Sequence, residues 1–212
     1  MLPMTLDLTG LRLALVGAGA PALRRLERLD AAAAVALAVY APRPSHALAA
    51  AAGRRLVARL PADGELAAAQ IVFVSGLAAA DAGLVAARAR TAGAIVHVED
   101  APEISDAQLP AVLHRGDLAI AVSTRGRSPG LAAELKRALG RIIGPEWAAR
   151  LDEAADERRR WRDAGLGPAV VAERTAAWLG ARRWLASATV FESHWAPGAA
   201  ANDAAPRRVG ER

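Results

Sequence analysis

Cysteine is absent from the chain. Its absence excludes disulfides, thiolate nucleophiles and thiolate metal sites, and it fits a reducing compartment. Lysine occurs once, at Lys136, so the net charge of +5 is carried almost entirely by arginine. Arginine keeps its charge at any working pH and presents a flat fork suited to carboxylates and phosphates. Aromatic residues make up only 4%, while 53% of residues are hydrophobic and much of that share is alanine. A core of this kind has many small contacts and few large anchors. No uncharged apolar run reaches the roughly 20 residues of a membrane helix. Residues 1–9 also lack the basic start, apolar run and cleavage site of a secretory signal. A cytoplasmic protein without a membrane partner is therefore expected. The basic residues are spread along the chain with no aromatic-interleaved basic motif, so no nucleic-acid partner is expected.

What is present is a regular alternation of short apolar runs and helical patterns. Residues 11–16 (LRLALV), 34–40, 55–60, 71–75 (IVFVS) and 95–98 read as strands, and residues 22–29, 46–52, 63–69 and 82–92 as helices. Ser45 is placed to cap the second helix and Asp81 the fourth, and Gly93 to close the fourth. Alternation of this kind predicts an α/β fold, a doubly wound parallel sheet of Rossmann type. After residue 101 the pattern changes. Residues 118–123 read as one more strand, followed by helices over 131–143, 146–164 and 169–185. Trp147, Trp161, Trp178 and Trp184 lie in this helical half and read as core or interface anchors. Residues 196–212 read as a frayed tail.

The first strand runs directly into Gly17-Ala18-Gly19-Ala20-Pro21-Ala22, a Gly-x-Gly-x-x-Ala turn before a helix. In a dinucleotide site Gly17 permits the tight turn, Gly19 lets the backbone approach a pyrophosphate, and Ala22 lets the helix pack on the strand. The acidic residue that usually holds the ribose hydroxyls is missing from 38–42. Arg43 follows instead, suited to a ribose 2′-phosphate or to lying against the adenine, which leaves NAD and NADP both open. Asp100 falls just past the carboxyl end of the fifth strand, where open α/β sheets place ligand groups. Glu99 beside it faces the opposite way if the strand persists, so the two are not expected to form a paired-carboxylate site. The histidines, His46, His97, His114 and His194, have no metal-ligand spacing, and no protein-bound metal is expected. His97 is expected to be a hydrogen-bonded structural residue, with proton carrier or iron contact as alternatives.

Three segments together resemble the precorrin-2 dehydrogenase/sirohydrochlorin ferrochelatase family. They are Leu6-Asp7-Leu8 with the strand, glycine loop and Ala41-Pro42; the run VHVEDAPE over 96–103; and PAVLHRGDL over 110–118 with IAVSTRGRSP over 120–129. The resemblance spans about residues 6–190. It implies NAD-dependent oxidation of precorrin-2 to sirohydrochlorin, with or without insertion of ferrous iron to give siroheme, by a homodimer. It implies a nucleotide-binding domain over 1–110, a dimerisation segment over 111–145 and a C-terminal helical domain over 146–195. The family's key carboxylate falls on Asp100. Its nucleotide contacts fall on Ala20, Pro21, Pro42 and Arg43, with Gly17, Gly19, Ala22 and Ser75 completing the cofactor set. Its substrate-facing loop falls on Thr124, Arg125, Arg127 and Ser128. Arg115 and Lys136 are further candidates to pair with the substrate's eight carboxylates. The chain has Ser75-Gly76-Leu77 where the family usually has Thr-Asp-Asp, and His97 for the family's asparagine. A diverged homologue that binds a nucleotide or tetrapyrrole without catalysis is therefore the alternative reading.

Overall fold

The computed structural model describes residues 2–184 and divides them into two compact units. The first comprises residues 2–110 and 123–129, and the second residues 111–122 and 130–184. The expected tail at 196–212, and His194, lie outside the described residues.

The first unit is a parallel sheet of β1 (Arg12–Gly17), β2 (Ala36–Tyr40), β3 (Leu56–Val57), β4 (Ile71–Ser75) and β5 (Ile95–Val98), in the order β3-β2-β1-β4-β5. Register pairs Val16 with Tyr40, Gly17 with Ser75, and Val74 with Val98. The crossovers are α1 (Gly19–Ala31), α2 (His46–Ala52), α3 (Asp63–Ala68) and α4 (Ala79–Thr91). Helices cover both faces of the sheet, so its central strands are buried on both sides and read as continuous apolar runs. One core layer sets Leu13, Leu15, Ile71 and Phe73 against Ala22, Leu26 and Leu29 of α1. The other sets Val72, Val74, Val96 and Val98 against Ala82, Val85, Ala86 and Ala89 of α4. The small side chains on α4 let that helix lie close to the sheet. The Rossmann-type parallel sheet expected from the sequence is present.

Several boundaries differ from the sequence reading. The strand expected over 55–60 shrinks to Leu56–Val57, because Gly53–Arg55 form a 3-10 turn and the Arg59 N–H folds back onto Val57 O at 2.9 Å. α4 begins at Ala79 and takes its first carbonyl from Ala78, which places Asp81 within the first turn rather than at the cap. Ser45 does cap α2, its Oγ accepting from Leu48 N–H at 3.2 Å.

In the second unit, β6 (Ala111–Arg115) and β7 (Leu118–Val122) form an antiparallel hairpin. Only the second of these strands is expected from the sequence. The two-residue Gly116-Asp117 link between Arg115 and Leu118 was the signal for a hairpin. The helices α5 (Pro129–Ile142), α6 (Trp147–Asp163) and α7 (Pro168–Arg182) follow. Arg115 is not a free cation. Its guanidinium donates to Ile143 O at 2.8 Å and Gly140 O at 3.1 Å, satisfying carbonyls at the end of α5. Three of the tryptophans pack together: Trp184 lies edge-on against Trp178 at 5.2 Å and Trp147 at 6.4 Å, with Arg182 over Trp178. Among the described residues no helix is long and apolar enough to cross a membrane.

Candidate nucleotide site and the carboxylates beside it

β1 and β4 are the two strands at the point where the sheet order reverses, and their carboxyl ends meet at the glycine loop. Gly17 ends β1. A Cβ there would lie 2.3 Å from Ser75 O and 2.9 Å from the Ala22 Cβ, so its glycine serves close packing of strand, neighbour strand and helix. The tight turn falls instead at Gly19, with φ +61. Ala22 is fully buried against Gly17, as the motif requires. A further glycine, Gly76, locks the loop from the other side. Its φ is +71, and a Cβ would stand 2.3 Å from Ala18 O and 3.2 Å from the Pro21 Cβ. Between the two glycines, the Ala18 N–H donates to Ser75 O at 3.1 Å. Ser75, expected among the cofactor contacts, is 99% buried at the end of β4 and its Oγ has no partner among the described residues.

The N-terminus of α1 has no capping side chain and no acidic residue in its first turn. The leading N–H groups of such a helix are orphaned and carry partial positive charge. Ala20 and Pro21 form that first turn, and Pro21 has no N–H to offer. These features fit a pyrophosphate: uncapped donors, and a backbone cleared of side chains at 17, 19 and 76. Pro42 and Arg43 follow β2, are exposed, and carry no acid to face a ribose. Glu65, further along the chain, accepts from both Arg59 nitrogens and from the Ala62 N–H, which holds its carboxyl down at about 2.

At the end of β5 the chain leaves the strand after Val98, and Asp100 adopts a left-handed φ of +60. Aspartate tolerates this region better than most residues. Its exposed side chain does not cap the following 3-10 turn (Pro102–Ile104), and no hydrogen bond to it is present among the described residues. The loop at 123–129 lies close by: a Cβ at Gly126 would meet the Pro102 Cβ at 3.0 Å. The expected substrate loop is thereby brought beside the Asp100 turn. Within it, Thr124 Oγ1 donates to Ser128 O at 3.0 Å and accepts from Ser128 N–H at 3.2 Å, so this hydroxyl shapes the loop. Arg125, at φ +55, and Arg127 are exposed.

The feature missed in the sequence is Arg25. The apolar stripe of α1 reads as Leu23, Leu26 and Leu29, but the buried positions are Ala22, Arg25, Leu26 and Leu29. Position 25 stands three after Ala22 and four before Leu29, which was the available signal. The Arg25 guanidinium is 95% buried, 3.3 Å from His97 Nε2 and 3.7 Å from Glu99 Oε1. Burial pushes its pKa down, opposed by the Glu99 carboxylate. The other ring nitrogen of His97, Nδ1, lies 3.0 Å from Ala107 O. A carbonyl only accepts, so Nδ1 carries the hydrogen and Nε2 accepts from Arg25. His97 is thus the hydrogen-bonded structural histidine expected. Three buried polar atoms in this region, Arg25 Nε, Glu99 Oε2 and Ser75 Oγ, have no partner among the described residues. A buried acceptor or donor left so costs about 1–3 kcal/mol. Among the described residues no three metal-ligating side chains converge.

A family model described as putative NAD(P)-binding matches residues 4–111. The chain belongs to this family. It is 32% identical to the siroheme synthase of Gluconacetobacter diazotrophicus, over 95% of this chain and 48% of the relative. It is 34% identical to the siroheme synthase of Azotobacter vinelandii, over 82% of this chain and 40% of the relative. The chain therefore spans less than half the length of these two curated relatives. Among solved structures, SirC, a precorrin-2 dehydrogenase, superposes with a TM-score of 0.69 at 22% identity, over 87% of this chain and 92% of that one. That likeness shows a shared fold. The resemblance to the siroheme-forming family read from the three sequence segments agrees with these matches.

Burial, the largest effect, holds His97 below its ordinary value of 6.5; Arg25 also lowers it, while the Ala107 carbonyl, Glu99 and Asp100 raise it. The folded chain therefore stays unprotonated at His97 where the unfolded chain has begun to bind a proton. Stability must fall as pH drops from 6.5 through the folded value. Thermal unfolding against pH should show a shallower acid-side decline for His97→Asn than for the parent chain. Identical slopes would contradict a buried neutral His97.

Proposed function

We propose that the chain oxidises precorrin-2 to sirohydrochlorin with NAD as hydride acceptor. The observation that carries this reading is Asp100, a carboxylate with no structural employment, presented on a left-handed turn past β5 and beside the 123–129 loop. The bound nicotinamide would supply the hydride acceptor. The chain's own part is to hold the two reactants and take the proton. Gly17, Gly19, Ala20, Pro21 and Ala22 seat the pyrophosphate, and Ser75 borders the nicotinamide half. Pro42 and Arg43 border the adenosine. The lack of an acid there permits a 2′-phosphate as well, so NADP is the comparison to run beside NAD.

Loss of a hydride from the macrocycle leaves one proton to be removed, and Asp100 is the acceptor for it. Ser128, and the exposed Arg125 and Arg127, carry the polar and cationic surface that would face the substrate's carboxylates. Ferrous iron is the substrate of a further step giving siroheme. Asp100 would then accept the pyrrole protons, and adding iron to the oxidised product reads that step directly. The relatives' names and the shared fold support this reading. The intact glycine loop and the free carboxylate favour it over a binding protein without catalysis.

Asp100→Asn should lower kcat for precorrin-2 oxidation by about 100-fold to 10,000-fold, as loss of a general base does. NAD affinity should stay unchanged. Full activity in this variant would remove Asp100 from the mechanism.

We also propose a homodimer formed through the second unit. Its described residues bury only Ala132, Ile143 and Val171, while Leu135 of α5 is 45% exposed. A two-stranded hairpin is marginal alone. Sedimentation of the full chain should give twice the monomer mass, and a monomer at all concentrations would exclude this assembly.

A further inference from the structure

The sheet order fixes where each half of a dinucleotide must lie. With the pyrophosphate at the end of β1, an adenosine directed toward β2 sends the nicotinamide over β4 and β5. β4 ends at Ser75, and Glu99 directly follows the last residue of β5. They are neighbours, since Val74 pairs with Val98 and the Glu99 N–H donates to Val74 O at 2.9 Å. They also share a face of the sheet. Phe73 and His97, two residues earlier on each strand, touch edge to face at 6.0 Å beneath α1, and side chains two apart point the same way. The reach of Arg25 to both His97 and Glu99 places Glu99 on that face.

We propose that Glu99, held by Arg25, is the residue that fixes the nicotinamide carboxamide in this chain, with the Ser75 hydroxyl as its partner. This rests on the dinucleotide reading of the glycine loop. The carboxamide presents an N–H₂ donor and a carbonyl acceptor. Glu99 Oε2 accepts from the amide, and Ser75 Oγ donates to the carbonyl. Both protein atoms are buried and have no partner among the described residues, so a rotamer change that turns each toward the crevice lets the ligand satisfy two groups that the fold leaves unmatched. The Glu99 side chain keeps 23% exposure, against 5% for Arg25, so a side-chain rotation brings it to the crevice. Arg25 places a fixed positive charge 3.7 Å from Glu99 Oε1. His97 Nε2 in turn holds the guanidinium in place, which makes Arg25 and His97 positioning residues. Glu99 and Asp100 thus divide the work of one crevice: the first orients the cofactor, the second faces substrate.

The test is calorimetric titration of the full chain with NAD and with ADP-ribose, which lacks the nicotinamide. The parent chain should bind NAD more tightly than ADP-ribose. Glu99→Leu should weaken NAD about tenfold, the scale of one hydrogen bond to a charged group, and leave ADP-ribose unchanged. ADP-ribose binding also confirms that the variant is folded. Glu99→Gln, which keeps an acceptor, should restore most of the NAD affinity, and Ser75→Ala should give a smaller loss confined to NAD. Equal effects on both ligands, or no effect on either, would overturn the assignment and leave the Arg25–Glu99 pair a purely structural one. A parent chain that binds NAD and ADP-ribose equally would overturn it too. A parent chain that binds neither would overturn the dinucleotide reading itself.

Discussion

Two strands and a helix meet at the centre of the sheet with no room for a side chain between them. The Ala18 N–H reaches Ser75 O at 3.1 Å, and Gly17 and Gly76 stand on either side of that bond. A Cβ at either glycine would sit 2.3 Å from a backbone oxygen. Such a contact cannot be relieved by rotating a flexible side chain, so the strand ends would have to part. This junction sets the start of α1 at the switch point of the sheet. It also sets how far Arg25, lower on the same helix, stands from β5. The phosphate cradle and the buried charge network are two consequences of one packing constraint.

The charge network follows from the choice of cation. An ammonium buried to this degree would tend to shed its proton, whereas a guanidinium keeps it. Arg25 can therefore serve as a permanent counter-ion to Glu99 even though burial works against it. His97, kept neutral by the same burial, accepts from Arg25 at one nitrogen and donates to Ala107 O at the other. These contacts give the end of β5 a defined shape. Asp100, one step further along, is left with no such partner and an exposed carboxylate. Groups so differently placed on adjacent residues suit different tasks.

The parallel sheet was legible because its central strands are buried on both faces and carry unbroken apolar runs; β4 and β5 lie at the residues their sequences suggest. β3 was overestimated because an edge strand needs only one neighbour and ended within two residues. The β6 strand was missed because His114 and Arg115 interrupt its apolar character, although the two-residue turn after it was readable. The glycine loop and Asp100 were visible as a motif and a position. The left-handed turn at Asp100 was not, since φ is decided by the return of the chain to β5 through Ser105 and Asp106. Arg25 was hidden for a different reason: a cation beside Arg24 reads as solvated surface unless its partners across the sheet are known.

The putative NAD(P)-binding family model covers the residues that form the crevice at the carboxyl ends of β1, β4 and β5, while the siroheme synthase relatives and the fold shared with SirC span most of the chain. The central claim is that this crevice couples a dinucleotide to oxidation of a tetrapyrrole. The most direct measurement is the stoichiometry of the reaction of the full chain with precorrin-2 and NAD, followed spectroscopically for both products. The account predicts one reduced nicotinamide for each sirohydrochlorin formed. Sirohydrochlorin formed without reduced nicotinamide, or NAD bound with no change in precorrin-2, would contradict it.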